Sequence, residues 1–138
     1  MTLNLAVQVA TDPRLVGVAV ETGSRTHGLL AADGHFALSI LARTDREVVR
    51  KFVKPDLDLD LDGAGVGTMN GVPVRPAPVS GAPLLERAAG FLDCGVRHRL
   101  DFPSHSFFVG EVLDAGFGPA GEEAEILRME DTRMHYGG

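Results

Sequence analysis

Two stretches in the C-terminal half of the chain repeat with a period of two. Leu92, Cys94, Val96, His98 and Leu100 make up the first, and Phe107, Val109, Glu111 and Leu113 the second. That period marks a half-buried strand, because successive side chains point to opposite faces. Between them lies Asp101-Phe102-Pro103-Ser104, a run of turn-forming residues, so the pair reads as one long hairpin. Two strands alone cannot bury an apolar face in water, so a hairpin of this length needs a larger sheet around it. Other segments offer one. Leu3, Leu5, Val7 and Val9 alternate with Asn4, Ala6, Gln8 and Ala10, and Thr11-Asp12-Pro13 then turns into a buried strand over 15–20. A further strand spans 35–41, with Phe36, Leu38 and Ile40 on one face, and 124–129 is a candidate last strand after the Gly-rich turn at 116–121.

Helical signals are few. Thr26 can cap a short helix through Leu29, Leu30 and Ala32, closed by Asp33-Gly34. Thr44 with Glu47 has the spacing of a capping box, which predicts a helix over 45–52 with Val48, Val49 and Phe52 on its apolar side, stopped by Pro55. From 54 to 83, Gly and Pro are frequent and periodicity is weak. This stretch reads mainly as loop with a short strand at 72–74, and so long a loop is functional or packs on a partner subunit. Many strands and two short helices predict a mainly β chain, a small β-barrel with helical decorations.

Composition excludes several classes. The 138 residues are 44% hydrophobic, which suits one domain over 1–138 with a core of its own. Thirteen Lys and Arg against 19 Asp and Glu leave a net charge of −6, the wrong balance for nucleic-acid binding driven by phosphate neutralisation. With seven Phe, one Tyr and no Trp, the chain is also poorly equipped to stack single-stranded bases. A single cysteine, Cys94, rules out a disulfide framework; on the inward face of its strand it is expected to be a buried, inert thiol. No apolar run approaches the roughly 18–20 residues that cross a bilayer, so no membrane is expected. The start of the chain has no basic, leader-like segment, and the expected compartment is the cytoplasm.

Two motifs mislead. Asp58-Leu59-Asp60-Leu61-Asp62-Gly63 opens like a calcium loop, but Met69 stands where the closing bidentate Glu belongs. Gly63-Ala64-Gly65-Val66-Gly67 lacks the third glycine and the flanking strand of a dinucleotide fingerprint. There is no G-x-S-x-G elbow, and His27, His35, His98, His105 and His135 are dispersed without metal-ligand spacing. Gly23-Ser24-Arg25-Thr26 carries more. It sets two hydroxyls and a guanidinium at the start of a short helix, where free backbone N–H groups favour an anion such as a phosphate. A plain N-cap beside a solvated Arg is the alternative.

Taken in order, several pieces resemble the flavin reductase-like family of FMN-binding split barrels. They begin with Met1-Thr2-Leu3-Asn4-Leu5 and Asp12-Pro13-Arg14-Leu15-Val16, then Ser24-Arg25-Thr26-His27, the strand from Phe36 to Leu41, and Arg50-Lys51-Phe52. Gly81-Ala82-Pro83-Leu84-Leu85, Leu92-Asp93-Cys94, the run from Ser104 to Val112 and Tyr136-Gly137-Gly138 continue the likeness over nearly the whole chain. The resemblance implies a homodimer of split β-barrels that binds FMN, or FAD, near the subunit interface. Thr2, Leu3 and Asn4 would contact the flavin from the first strand, and Ser24, Arg25 and Thr26 would hold its phosphate. His105 would stand beside the nicotinamide or the flavin ring, and Tyr136 would close over the site.

The same resemblance implies an NAD(P)H-dependent flavin reductase that passes a hydride to the flavin, with a flavin-dependent monooxygenase as a candidate consumer. Because the cofactor carries that chemistry, no triad or metal set is required. The resemblance also has departures: the barrel would lack the usual first strand, leaving a sheet edge open, and Arg14 replaces a second Pro. A flavin-binding electron carrier without a nicotinamide site, or a dimer that has lost flavin binding, are the alternative functions.

Overall fold

The computed structural model describes residues 1–54 and 56–134. Its main sheet has five antiparallel strands: β1 (Val7–Thr11), β2 (Arg14–Glu21), β3 (His35–Ile40), β8 (Gly90–Asp101) and β9 (His105–Phe117), in the order β1-β2-β9-β8-β3. The expected long hairpin is its centre, with β8 and β9 paired along their whole length. A second antiparallel sheet holds β4 (Leu59–Leu61), β5 (Gly67–Met69), β6 (Val72–Pro76) and β7 (Pro83–Leu85) in sequence order. The chain is thus mainly β, and its two sheets do not close into one barrel.

The core of the main sheet is built from Val18, Val20, Leu30, Phe36, Cys94 and Phe108, with Leu3, Leu38, Leu92, Val96 and Val112 packed against it. Leu30 comes from helix α1 (Arg25–Asp33), which lies over the sheet as the link between β2 and β3. Gly110 makes room for one of these side chains: a Cβ there would stand 2.6 Å from the Phe36 ring. Val72, Val74 and Leu84 of the second sheet are buried, as are Val48 and Val49 of helix α2 (Arg46–Lys51).

Five sequence expectations need correction. The strand predicted from Leu3 begins at Val7, because Leu3 turns into the main core and the Thr2 hydroxyl donates to the Val49 carbonyl. Ser24, not Thr26, caps α1; its Oγ accepts from His27 N, so Thr26 sits inside the first turn. The Thr44–Glu47 box does not form. A 3-10 turn (Arg43–Asp45) precedes α2 instead, and the Asp45 carboxylate is drawn away to pair with Arg87. Residues 124–129 make only an isolated bridge, Ala42 with Ile126, before the short helix α3 (Met129–Thr132).

The fifth correction concerns 54–83: the expected strand at 72–74 is part of β6, but the stretch read as loop around it also holds β4, β5 and the start of β7, so a whole second sheet was missed. Its hairpin turns are cut by local chemistry. The Asp62 carboxylate accepts from Ala64 N and Val66 N, and Asn70-Gly71 adopts positive φ at both residues, as a type I′ turn demands.

Candidate functional site

The end of β2, the start of β9 and the first turn of α1 meet at one end of the main sheet. Glu21 is paired with His105 in the ladder, and Thr22 N donates to Ser104 O at 2.9 Å. Ser24 N then donates to Glu21 O, which turns the chain into α1. The sheet register therefore brings Ser24, Arg25 and Thr26 to the same edge as His105, although about 80 residues separate them in sequence. Ser24 and Thr26 are half-buried and Arg25 is exposed. Amide groups of the first helical turn, two hydroxyls and a free-standing guanidinium form a donor set that suits a phosphate.

A second layer ties this edge together. His27 Nε2 lies 2.8 Å from Ser106 Oγ, and Ser106 Oγ donates to Asp101 Oδ1 at 2.5 Å. A hydroxyl has one proton, so once it goes to Asp101, Ser106 must accept from His27. This makes Nε2–H the neutral tautomer and leaves Nδ1 as the free ring acceptor. The hydroxyl of Ser106 and the guanidinium of Arg99 together hold the Asp101 carboxyl below the usual carboxylate range. Arg99 also lies over the Phe108 ring, whose edge-to-face neighbour is His27, with ring centroids 5.5 Å apart. His105 has its own tether: Nδ1 stands 3.0 Å from Ser104 Oγ, which fixes the ring at the end of β9 and leaves Nε2 for another partner.

The remaining expected site residues fall elsewhere. Thr2 is tied to Val49 on α2, Leu3 packs into the core, and Asn4 is exposed. Tyr136 lies outside the described residues. Sequence reading passed over His27, Ser106 and Asp101; the Ser24–His27 run and the hairpin turn at 101–104 were the available signals, but only the register joins them. Cys94 is fully buried, and burial, followed by the neighbouring Asp93 charge, pushes its thiol up to about 12, so it is inert as expected. Among the described residues, no cluster of side chains could hold a metal ion, and no helix is long and apolar enough to cross a membrane.

Comparison with known proteins places this chain in a family. The chain is 30% identical over 122 residues to an NADH-dependent FAD reductase from Streptomyces globisporus, covering 88% of this chain and 64% of that protein. It therefore spans less than two thirds of that relative's length. A solved NADH:FAD oxidoreductase from Streptomyces globisporus C-1027 superposes with a TM-score of 0.70 at 28% identity, covering 88% of this chain and 67% of the other. The flavin reductase component of a bacterial two-component tryptophan halogenase gives a TM-score of 0.68 at 27% identity, over 81% of this chain and 67% of that one. The family model described as "Flavin reductase like domain" matches residues 1–138. The chain belongs to the flavin reductase-like family.

Proposed function

We propose that this chain binds a flavin, FMN or FAD, at the edge formed by α1, β2 and β9 and reduces it with NADH. The observation that carries the reading is the convergence of the Ser24-Arg25-Thr26 donor set with His105 at one end of the sheet. The donor set fits a flavin phosphate by charge and by hydrogen-bonding capacity, with hydroxyls and backbone N–H groups donating and Arg25 neutralising. When bound, the flavin supplies the redox chemistry by taking a hydride from the reduced nicotinamide.

The protein's part is to bind and orient. Ser24, Arg25 and Thr26 anchor the phosphate; His105, held by Ser104, presents Nε2 to the nicotinamide side. The Asp101–Ser106–His27 chain keeps the first turn of α1 in register with β9, so that the anchor and His105 keep a fixed spacing. Proximity of the two reactants is the main source of acceleration in such a site. No general base is required of the chain.

Two statements about assembly belong to this reading. The chain acts as a homodimer, supported by the exposed apolar side chains of Leu5, Val7 and Val9 on and beside the edge strand β1. Its reduced flavin goes to a partner enzyme, a flavin-dependent monooxygenase being the candidate consumer; the halogenase reductase component is, by its name, likewise the reductase of a two-component system. The deciding experiment follows NADH oxidation by the purified chain with and without added FMN or FAD. Flavin-dependent oxidation is expected. Flavin binding without oxidation would leave a carrier, and no binding would remove the reading.

A further inference from the structure

The acidic run that opens like a calcium loop plays no part in the α1 edge; in the fold it is an open strand edge. β4 is an end strand of the second sheet, paired with β5 on one side only. The sheet is fastened at its other end, where Leu85 N on β7 donates to Ser39 Oγ at 3.0 Å. Asn70 holds β4 in place: its side-chain carbonyl accepts from Asp58 N at 2.8 Å, and its side-chain amide donates to Lys51 O at 2.7 Å. The edge is therefore ordered before anything binds to it.

The directions of its main-chain groups follow from the ladder. Asn70 N donates to Asp58 O and Asp62 N donates to Val66 O, so the even-numbered residues turn toward β5. By the alternation of an antiparallel pair, Leu59 and Leu61 aim their N–H and C=O groups at the open side. Their side chains continue buried rows of the sheet: Leu59 is in register with Met69 and Val72, and Leu61 with Gly67 and Val74. Val72 and Val74 are buried, whereas Leu59 and Leu61 at the ends of those rows are 43% and 39% exposed. Asp58, Asp60 and Asp62 take the other face, and all three are exposed. With Asp56 they put four of the chain's 19 acidic residues within 56–62. Among the described residues, none of the four is in an ion pair.

Charge and pattern together select the occupant. Alternate carboxylates on one strand stand about 7 Å apart, too far to share a small cation. A second copy of this chain is disfavoured, because like charges would face each other across the new ladder. A strand of opposite charge satisfies both faces: apolar side chains cover Leu59 and Leu61, and basic ones pair with the carboxylates. We infer that the open edge of β4 takes up an extended basic segment of a partner protein, with Lys or Arg alternating with apolar residues, as a fifth strand of the second sheet. None of these residues belongs to the proposed flavin site, so the surface is independent of what binds there.

The test uses the whole chain and a blocked, fluorescently labelled peptide of about seven residues in which Lys alternates with Val. Binding is followed by anisotropy at about 0.15 M salt. A Glu/Val peptide of the same pattern is the charge control. Two forms of the Lys peptide, N-methylated at every second amide in opposite phase, test the main-chain pairing. Saturable binding of the Lys peptide is expected, with one methylated form still bound and the other lost. The Leu59 and Leu61 amides should gain protection from hydrogen exchange. In Asp58→Lys/Asp60→Lys the Lys peptide should bind at least tenfold more weakly and the Glu peptide should bind in its place. Glu122→Lys/Glu123→Lys, an equal change of charge elsewhere, should alter Lys-peptide binding by less than about twofold. If the charge-reversed variant does not fold, the methylated peptides on the unaltered chain decide alone. No binding by about 1 mM, equal binding of both methylated forms, equal loss in both variants, or protection on β1 in place of β4 overturns the site.

Discussion

His27 Nε2 stands 2.8 Å from Ser106 Oγ, which ties the first turn of α1 to the strand that begins at His105 across 79 positions of sequence. Ser106 is buried and links the imidazole to the Asp101 carboxylate, so the three residues act as one unit. In Ser106→Ala the ring loses its acceptor and the carboxylate loses its closest donor. With both of these hydrogen bonds gone, the variant is expected to be less stable, read as a lower urea midpoint. Nitrogen-15 spectra of the imidazole should show a single Nε2–H tautomer in the parent and a mixture in the variant. A mixture already present in the parent would contradict the relay.

His105 and the phosphate anchor should separate kinetically. On the proposed reading, in which the His105 ring, held by Ser104, faces the nicotinamide, His105→Ala is expected to slow hydride transfer more than it weakens flavin binding. Replacing Ser24, Arg25 and Thr26 with Ala should do the reverse, weakening flavin affinity at least tenfold, as expected for charge-assisted hydrogen bonds to a phosphate. Single-turnover reduction alongside flavin titration distinguishes the two patterns.

Asp93 predicts an acid-sensitive clasp. Its side chain is fully buried, and Oδ2 accepts from Val79 N at 2.8 Å and Ser80 N at 3.0 Å, which pins the turn between β6 and β7 onto β8. Burial works to raise this carboxyl, yet the Ser80 and Val79 donors outweigh it and hold the group below its ordinary value. A depressed native value means the unfolded chain binds the proton more readily. The stability Asp93 contributes is therefore full above the ordinary carboxylate range near pH 4 and is lost as pH falls through the lower native value. Asp93→Asn should destabilise the fold by about 1–3 kcal/mol at pH 7, because one amide hydrogen pair would face the place where Oδ1 has no donor or acceptor. The gap between parent and variant should narrow in acid, as urea unfolding across pH would show.

Gly110 and Cys94 test the core. A methyl group at position 110 would meet the Phe36 ring at 2.6 and 2.7 Å and Cys94 Cβ at 3.0 Å, all on packed elements. Gly110→Ala should cost about 1–3 kcal/mol by overpacking, seen as a lower melting temperature. The Cys94 thiol, raised to about 12, should not react with a thiol reagent at pH 8 until the protein unfolds. Rapid labelling of the native protein would show that the core at Cys94 is open.

Much of the main sheet was legible because β8 and β9 are long enough for their period to show. Which side chains they bury was less so. Val109 is buried as its alternation suggests, but Ser106 and Phe108 on the other face are driven inward as well, and His98 and Leu100 are exposed. Register shifts after Asp93 and Val96 change the facing of the β8 side chains midway, and no local pattern announces a bulge. The second sheet stayed hidden because three of its four strands have only three residues, too few for a period. Only β6, the one strand of five residues, was picked out, as the strand expected at 72–74. At the candidate site, the donor-rich start of α1 was readable from its run of hydroxyls. The His27–Ser106–Asp101 unit was not, since pairing across a sheet depends on register and not on neighbouring residues.

The most direct test of the flavin site is a titration of the purified chain with FMN and with FAD, monitored by quenching of flavin fluorescence, in the parent and in the Ser24→Ala/Arg25→Ala/Thr26→Ala variant. Saturable binding near one flavin per chain, weakened at least tenfold in the variant, is the predicted result. Tight binding that ignores the three substitutions would contradict the placement of the flavin phosphate at α1, and no binding to the parent would contradict the flavin site itself.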